Sequence, residues 1–249
     1  MHDHLPPAPA RDTFVDVTLS PPFPSLIGAS MPRLLPAGPI KPKLRGVFHQ
    51  YAFFVSLACG VGLVATAHSG ISRWTAVIYA GAVSGLLGTS ALYHRVSWRP
   101  AVRRWMRRLD HSMIFVLIAG TYTPVALVAL SGVLPRVVLI VVWAGALAGV
   151  LAKIMWIDAP KWLFSLVYLA LGWSTVAVFG QLPGAIGWLG ALGFALGGML
   201  YTGGAIVYAT ERPDPQPRTF GYHEVFHVLV VAAVALHYAV IAFLVLPHG

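Results

Sequence analysis

The chain has 249 residues, of which 57% are hydrophobic and only 10% charged, and its mean hydropathy is +0.75. That leaves too little polar surface to coat a soluble domain of this size, so the chain belongs in a bilayer. The net charge of +9 does not point to nucleic acid, because the basic residues sit in short segments between apolar runs rather than on a solvated face.

Residues 1–40 are rich in proline and carry no helical period, which predicts a disordered tail. They also lack the layout of a cleaved signal peptide, so the first apolar run is expected to stay in the mature protein. From residue 41 to 249, apolar segments of about twenty residues, the length a helix needs to cross the hydrocarbon core, recur near 47–67, 74–94, 111–131, 135–153, 162–180, 186–209 and 222–246. The predicted fold is all-α, a polytopic seven-transmembrane helix bundle. Cys59 lies in the first run and reads as a small buried hydrophobe with no disulfide partner. The run RVSWRPAVRRWMRRLD between the second and third segments reads as a topology signal, with Trp98 and Trp105 as interface anchors and anionic headgroups as a further contact. Alternate connections divide the Lys and Arg residues fifteen to two, only Arg73 and Arg136 falling on the minority side. Basic residues near span ends are retained in the cytoplasm, so the tail and amino terminus are expected inside and the carboxy terminus outside.

With direction assigned, each polar residue at membrane depth takes a height. The second span ends GTSALYHRVSW, placing Ser90 and His94 on its last cytoplasmic turns; the third begins RRLDHSMIF, placing Asp110 and His111 at that level; the seventh opens YHEVFH. Residues four apart share a helix face, so Ser90 stacks over His94 and His223 over His227. Three imidazoles with one open position are a usual layout for catalytic zinc, and His94, His223 and His227 supply them. Asp110 then has the role of a carboxylate that hydrogen-bonds a water at the metal, and Ser90 that of a hydroxyl orienting a ligand or substrate. A carboxylate within a span costs about 2.5–3.5 kcal/mol on insertion scales, which a nearby cation offsets.

Other readings stand beside this one. His49, His68, His111 and His237, each taken singly, read as satisfied structural residues. IAGTYTP, residues 118–124, reads as a bent helix in which Pro124 removes a donor and Gly120 permits close packing. His223, Glu224 and His227 spell H-E-x-x-H, the zinc-protease signature, in which the glutamate is the general base. His237 lies about 15 Å farther along a regular helix than His227 and cannot reach the same metal. The third ligand is therefore expected from His94, while Asp110 and Glu224 both remain open for the role of base. An intramembrane protease would also put such a motif on a span, but would take a carboxylate ligand from another helix.

SALYH, LDHSMIFVLIAGTYTP and HEVFH, with IKPKLRG before the first span, resemble the bacterial hemolysin III proteins, within the superfamily of progestin and adipoQ receptors. The resemblance covers roughly residues 40–246. It implies a multi-pass protein of the bacterial plasma membrane, with zinc held by His94, His223 and His227, Asp110 linked through water, and Ser90 one turn before the first ligand. Related alkaline ceramidases imply hydrolysis of a lipid amide, whereas the family name refers to lysis of blood cells. Two functional classes follow. One is a zinc hydrolase acting on membrane lipids, a ceramide-like or phospholipid amide or ester. The other is a non-enzymatic receptor-like regulator or pore-forming hemolysin with a structural zinc.

Overall fold

The computed structural model describes residues 41–68 and 70–248, so the proline-rich tail lies outside the described residues. These residues form helices α1 (Val47–Thr66), α2 (Ile71–Arg95), α3 (Pro100–Pro124), α4 (Leu134–Met155), α5 (Lys161–Gly172), α6 (Leu182–Thr210) and α7 (Tyr222–Val240). Seven helical segments among them are long and apolar enough to cross a membrane. The described residues contain no named strand, only an isolated bridge between Gln216 and Phe220. In hydrocarbon every backbone polar group must be satisfied internally, and a helix does this within one segment. The protein is a seven-span helical membrane protein.

The spans alternate in direction. At one end, the Arg107 guanidinium at the start of α3 donates to Asp158 beyond α4 at 2.8 Å. Lys161 at the start of α5 donates to Glu211 beyond α6 at 2.7 Å, and the Lys43 N–H before α1 reaches the Arg218 carbonyl before α7 at 3.1 Å. At the opposite end the Ser131 N–H donates to Gln181 Oε1 at 3.2 Å. The first set defines a basic end, because it gathers the arginine-rich connection and the chain before α1.

Two boundaries differ from the sequence expectation. The third helix starts at Pro100 rather than near 111. Its first turns are charged and fail an apolar-length criterion, yet proline at N1 is pre-organised for a helix start, and the arginines project beyond the apolar part of the span. Past Pro124 the chain continues as a π-helical turn, Val125–Ala129. Proline cannot donate to the carbonyl four residues back, and a widened turn absorbs the defect. The sixth span is broken at Gly187, whose φ of 74° and ψ of 165° suit only glycine; a new helical stretch begins beyond it, near the predicted start of 186.

Packing follows membrane rules. Tyr79, Leu87, Leu182 and Ile241 fill the interior with no more than 1% exposure, whereas Phe54, Ile140, Leu147 and Phe243 face outward, where acyl chains are as apolar as they are. A second interior cluster, around Phe115, Ala119, Val142 and Phe164, joins α3, α4 and α5.

Candidate metal centre

The centre is built on the first turn of α7. Gly221, the N-cap, is extended and its N–H donates to Glu224 Oε2 at 2.8 Å, while the Tyr222 N–H donates to Asp214 Oδ1 at 2.9 Å. These carboxylates satisfy two of the four N–H groups that a helix start leaves without partners, and acidic groups suit the positive end of its dipole. The other oxygen of Glu224 accepts from the Arg45 guanidinium. Glu224 is completely buried, with both oxygens committed to backbone and arginine. It caps the helix with both oxygens engaged, unlike the general base that the protease signature requires.

The same turn carries His223 and His227. α2 brings His94 against them: His94 Nε2 and His223 Nε2 stand 3.2 Å apart, and the candidate ligand atoms of all three buried histidines lie within 4.8 Å of one another. A tetrahedral ion about 2.0–2.1 Å from each nitrogen would hold its ligands roughly 3.3 Å apart. His227 Nδ1 is buried with no hydrogen-bond partner, an arrangement costly in a membrane interior. The donor set fits a metal ion of the kind imidazole binds. Gly46, at the head of α1, permits the approach. Its φ is +79°, and a Cβ there would stand 2.6 Å from the His94 Cβ.

Asp110, on α3, lies beside this group. Its Oδ2 is 3.9 Å from His94 Nε2, too far for a direct hydrogen bond. Ser90, buried on α2, lines the same cavity as Asp110. His111 Nδ1 donates to the Arg107 carbonyl at 2.8 Å and lies 3.4 Å from Asp110 Oδ2. Since that carbonyl can only accept, His111 Nε2 is the acceptor of the ring, and the Tyr208 hydroxyl donates to it at 3.1 Å. All five residues singled out in the sequence thus converge on one place.

The sequence pattern of the family described as "Haemolysin-III related" matches residues 38–238. The chain belongs to the hemolysin III family. It is 30% identical over 200 residues to the "Hemolysin-3 homolog" of Bacillus subtilis (strain 168), covering 79% of this chain and 91% of that protein. Similarity to "Hemolysin-3" of Bacillus cereus is 32% over 158 residues, 64% and 69% of the two chains. The "Monocyte to macrophage differentiation factor" of Homo sapiens is 25% identical over 168 residues, 66% and 67% of the two chains. These relatives place this hemolysin III protein within the progestin and adipoQ receptor superfamily, as a multi-pass membrane protein.

Sequence reasoning passed over three contributors to the site of this hemolysin III protein. His49, set aside as structural, stacks face to face on His227, with ring centroids 3.8 Å apart and planes 4° from parallel. Its place as the third residue of α1 puts it at the depth of His94, a signal available in the sequence. Tyr208 reaches the site from α6 with no local motif to mark it, and Arg45, which locks Glu224 from before α1, lies in the IKPKLRG stretch, to which sequence reasoning assigned no role at the centre. His237 stays apart, as expected. Its Nε2 donates to the Phe194 carbonyl at 3.2 Å, and the ring occupies the space a Cβ on Gly197 would take, 2.1 Å from Nε2.

A cavity of about 190 Å³ runs from the centre into the bundle. Ser90, Asp110, His223 and His227 form its polar head, and Ile118, Val125, Trp173, Val176 and Phe179 line its depth. Trp173 marks one wall, its indole N–H donating to the Thr202 hydroxyl at 3.0 Å between α5 and α6.

Proposed function

We propose that this hemolysin III protein is a zinc-dependent hydrolase of membrane-lipid amides or esters, with its centre on the cytoplasmic side. The observation carrying the reading is a group of three buried histidines, two of which, His223 and His227, line the polar head of an apolar cavity together with Asp110 and Ser90. His94, His223 and His227 would hold the ion, which supplies Lewis acidity toward a carbonyl and lowers the pKa of water at its open position to about 7. An acyl chain lies in the apolar depth, leaving its carbonyl carbon at the polar head. Asp110 Oδ2 orients the attacking water and accepts its proton, and the Ser90 hydroxyl donates to the carboxylate to hold it in place. The carbonyl carbon gains the water oxygen, the bond to nitrogen or alkoxy oxygen breaks, and the proton held at Asp110 passes to the leaving group. Fatty acid and an amine or alcohol result. The cytoplasmic assignment rests on the fifteen-to-two division of basic residues.

A second reading rests on the contact between His94 and His223. A metal bridging α2 and α7 there would tie two spans distant in sequence, which serves a receptor-like or lytic membrane protein without any reaction. The test incubates wild type and Asp110→Asn, at matched zinc content, with ceramide and phospholipid panels and measures released fatty acid by mass spectrometry. Release by wild type alone supports the hydrolase. Equal background in both, with zinc-dependent thermal stability, sinks it in favour of the structural metal.

A further inference from the structure

The charged groups flanking the centre are left out of the hydrolase reading. Residues 41–46 form a short strap across the basic end. The Lys43 and Leu44 N–H groups donate to the Arg218 and Thr219 carbonyls, each at 3.1 Å, and Arg45 pairs with Glu224. The strap lies against the end of α2, where the Arg95 side-chain carbons stand 3.5 Å from the position a Gly46 Cβ would take. The charged neighbours of Lys41 are Arg95, Arg45 and Arg103, all cations; partial burial first, and then their repulsion, lower its pKa.

The fold therefore holds like charges together, and the described chain has no carboxylate left for them. Asp158 pairs with Arg107, Glu211 with Lys161 and Glu224 with Arg45; Asp214 caps α7, and Asp110 belongs to the histidine centre. Lys41, Arg95 and Arg103 have no ion-pair partner among the described residues. The patch also has an apolar border. Leu92, Val96, Val102 and Trp105 are all exposed beside it, and the Arg108 guanidinium lies 4.9 Å over the Trp105 ring. Tryptophan and arginine at such a boundary mark the headgroup level of a bilayer. A soluble anion would make no use of the apolar border, whereas a phospholipid presents a phosphate and acyl chains together.

We propose that Lys41, Arg95 and Arg103 bind the phosphate of an anionic phospholipid, and that this lipid pins the 41–46 strap against α2 beside the histidine centre. The site rests on the membrane assignment and is independent of whether the histidines hold zinc or hydrolyse lipid.

The test uses full-length protein in nanodiscs of phosphatidylcholine, with and without a minor fraction of phosphatidylglycerol. The readouts are the unfolding midpoint and hydrogen exchange of the 43–46 amides. Phosphatidylglycerol should raise the midpoint of wild type and slow that exchange. Lys41→Gln alone should shrink both effects, and K41Q/R95Q/R103Q should abolish them. R95K/R103K, which keeps the charges, should retain them, as should Arg136→Gln at the opposite end. An undiminished response in K41Q/R95Q/R103Q, or an equal response of wild type to inorganic phosphate in neutral nanodiscs, overturns the proposal. A response that emerges only after Asp3, Asp12 and Asp16 are replaced by Asn would assign the patch to the chain's own tail and overturn it as well.

Discussion

Replacing Glu224 separates its role as a cap from the role the protease signature would give it. The carboxylate is fully buried, the Arg45 side chain is 22% exposed, and one oxygen also accepts the Gly221 N–H at 2.8 Å. Removing one partner of a buried ion pair costs about 3–5 kcal/mol, so Glu224→Ala should lose roughly that much. Glu224→Gln keeps an oxygen for Gly221 and loses the charge-assisted bond, a loss of about 1.5–3 kcal/mol. Because the first turn of α7 carries His223 and His227, metal affinity should fall with it, by roughly 10–100-fold as for residues that orient ligands. Arg45→Ala with Glu224→Ala should destabilise less than the sum of the two single changes, since neither charge is then left buried alone. The assay is unfolding in detergent at saturating and limiting zinc, with metal content measured in parallel. A Glu224→Gln protein of unchanged stability and full metal content that has lost all hydrolysis would refute the cap assignment and make Glu224 the base.

His94→Ala, His223→Ala and His227→Ala should each strip most of the metal from purified protein, whereas His237→Ala should keep it, as elemental analysis will report. Gly46→Ala should destabilise by about 1–2 kcal/mol from its left-handed backbone alone, with crowding against His94 adding about 1–3 kcal/mol. Gly62→Ala, where a Cβ meets nothing within 4 Å, should be neutral or stabilising in the same unfolding assay. Reporter fusions after residues 157 and 215 should read cytoplasmic and fusions after 133 and 249 external; an inside signal at 249 would reverse the proposed orientation.

Much of the architecture was legible because each span must be apolar over a fixed length, a constraint that acts on sequence directly. The start of α3 escaped the same criterion, since Arg103, Arg104, Arg107 and Arg108 lower its hydropathy while leaving it helical. The core of the centre was legible because His223 and His227 sit four apart and because alternating direction gives Ser90, His94 and Asp110 the same depth. The role of Glu224 was not, because its partner Arg45 lies 179 positions away and only the folded strap brings them together. His49 was passed over because a lone histidine has no spacing to argue from, although its depth on α1 matched.

The central claim is that His94, His223 and His227 hold one zinc ion. X-ray absorption at the zinc edge on the purified protein reads the coordination sphere directly. The account predicts three imidazole nitrogens at about 2.0–2.1 Å with one further oxygen, and loss of that sphere in His223→Ala. A sphere of carboxylate oxygens or sulfur, or an unaltered one in His223→Ala, would contradict it.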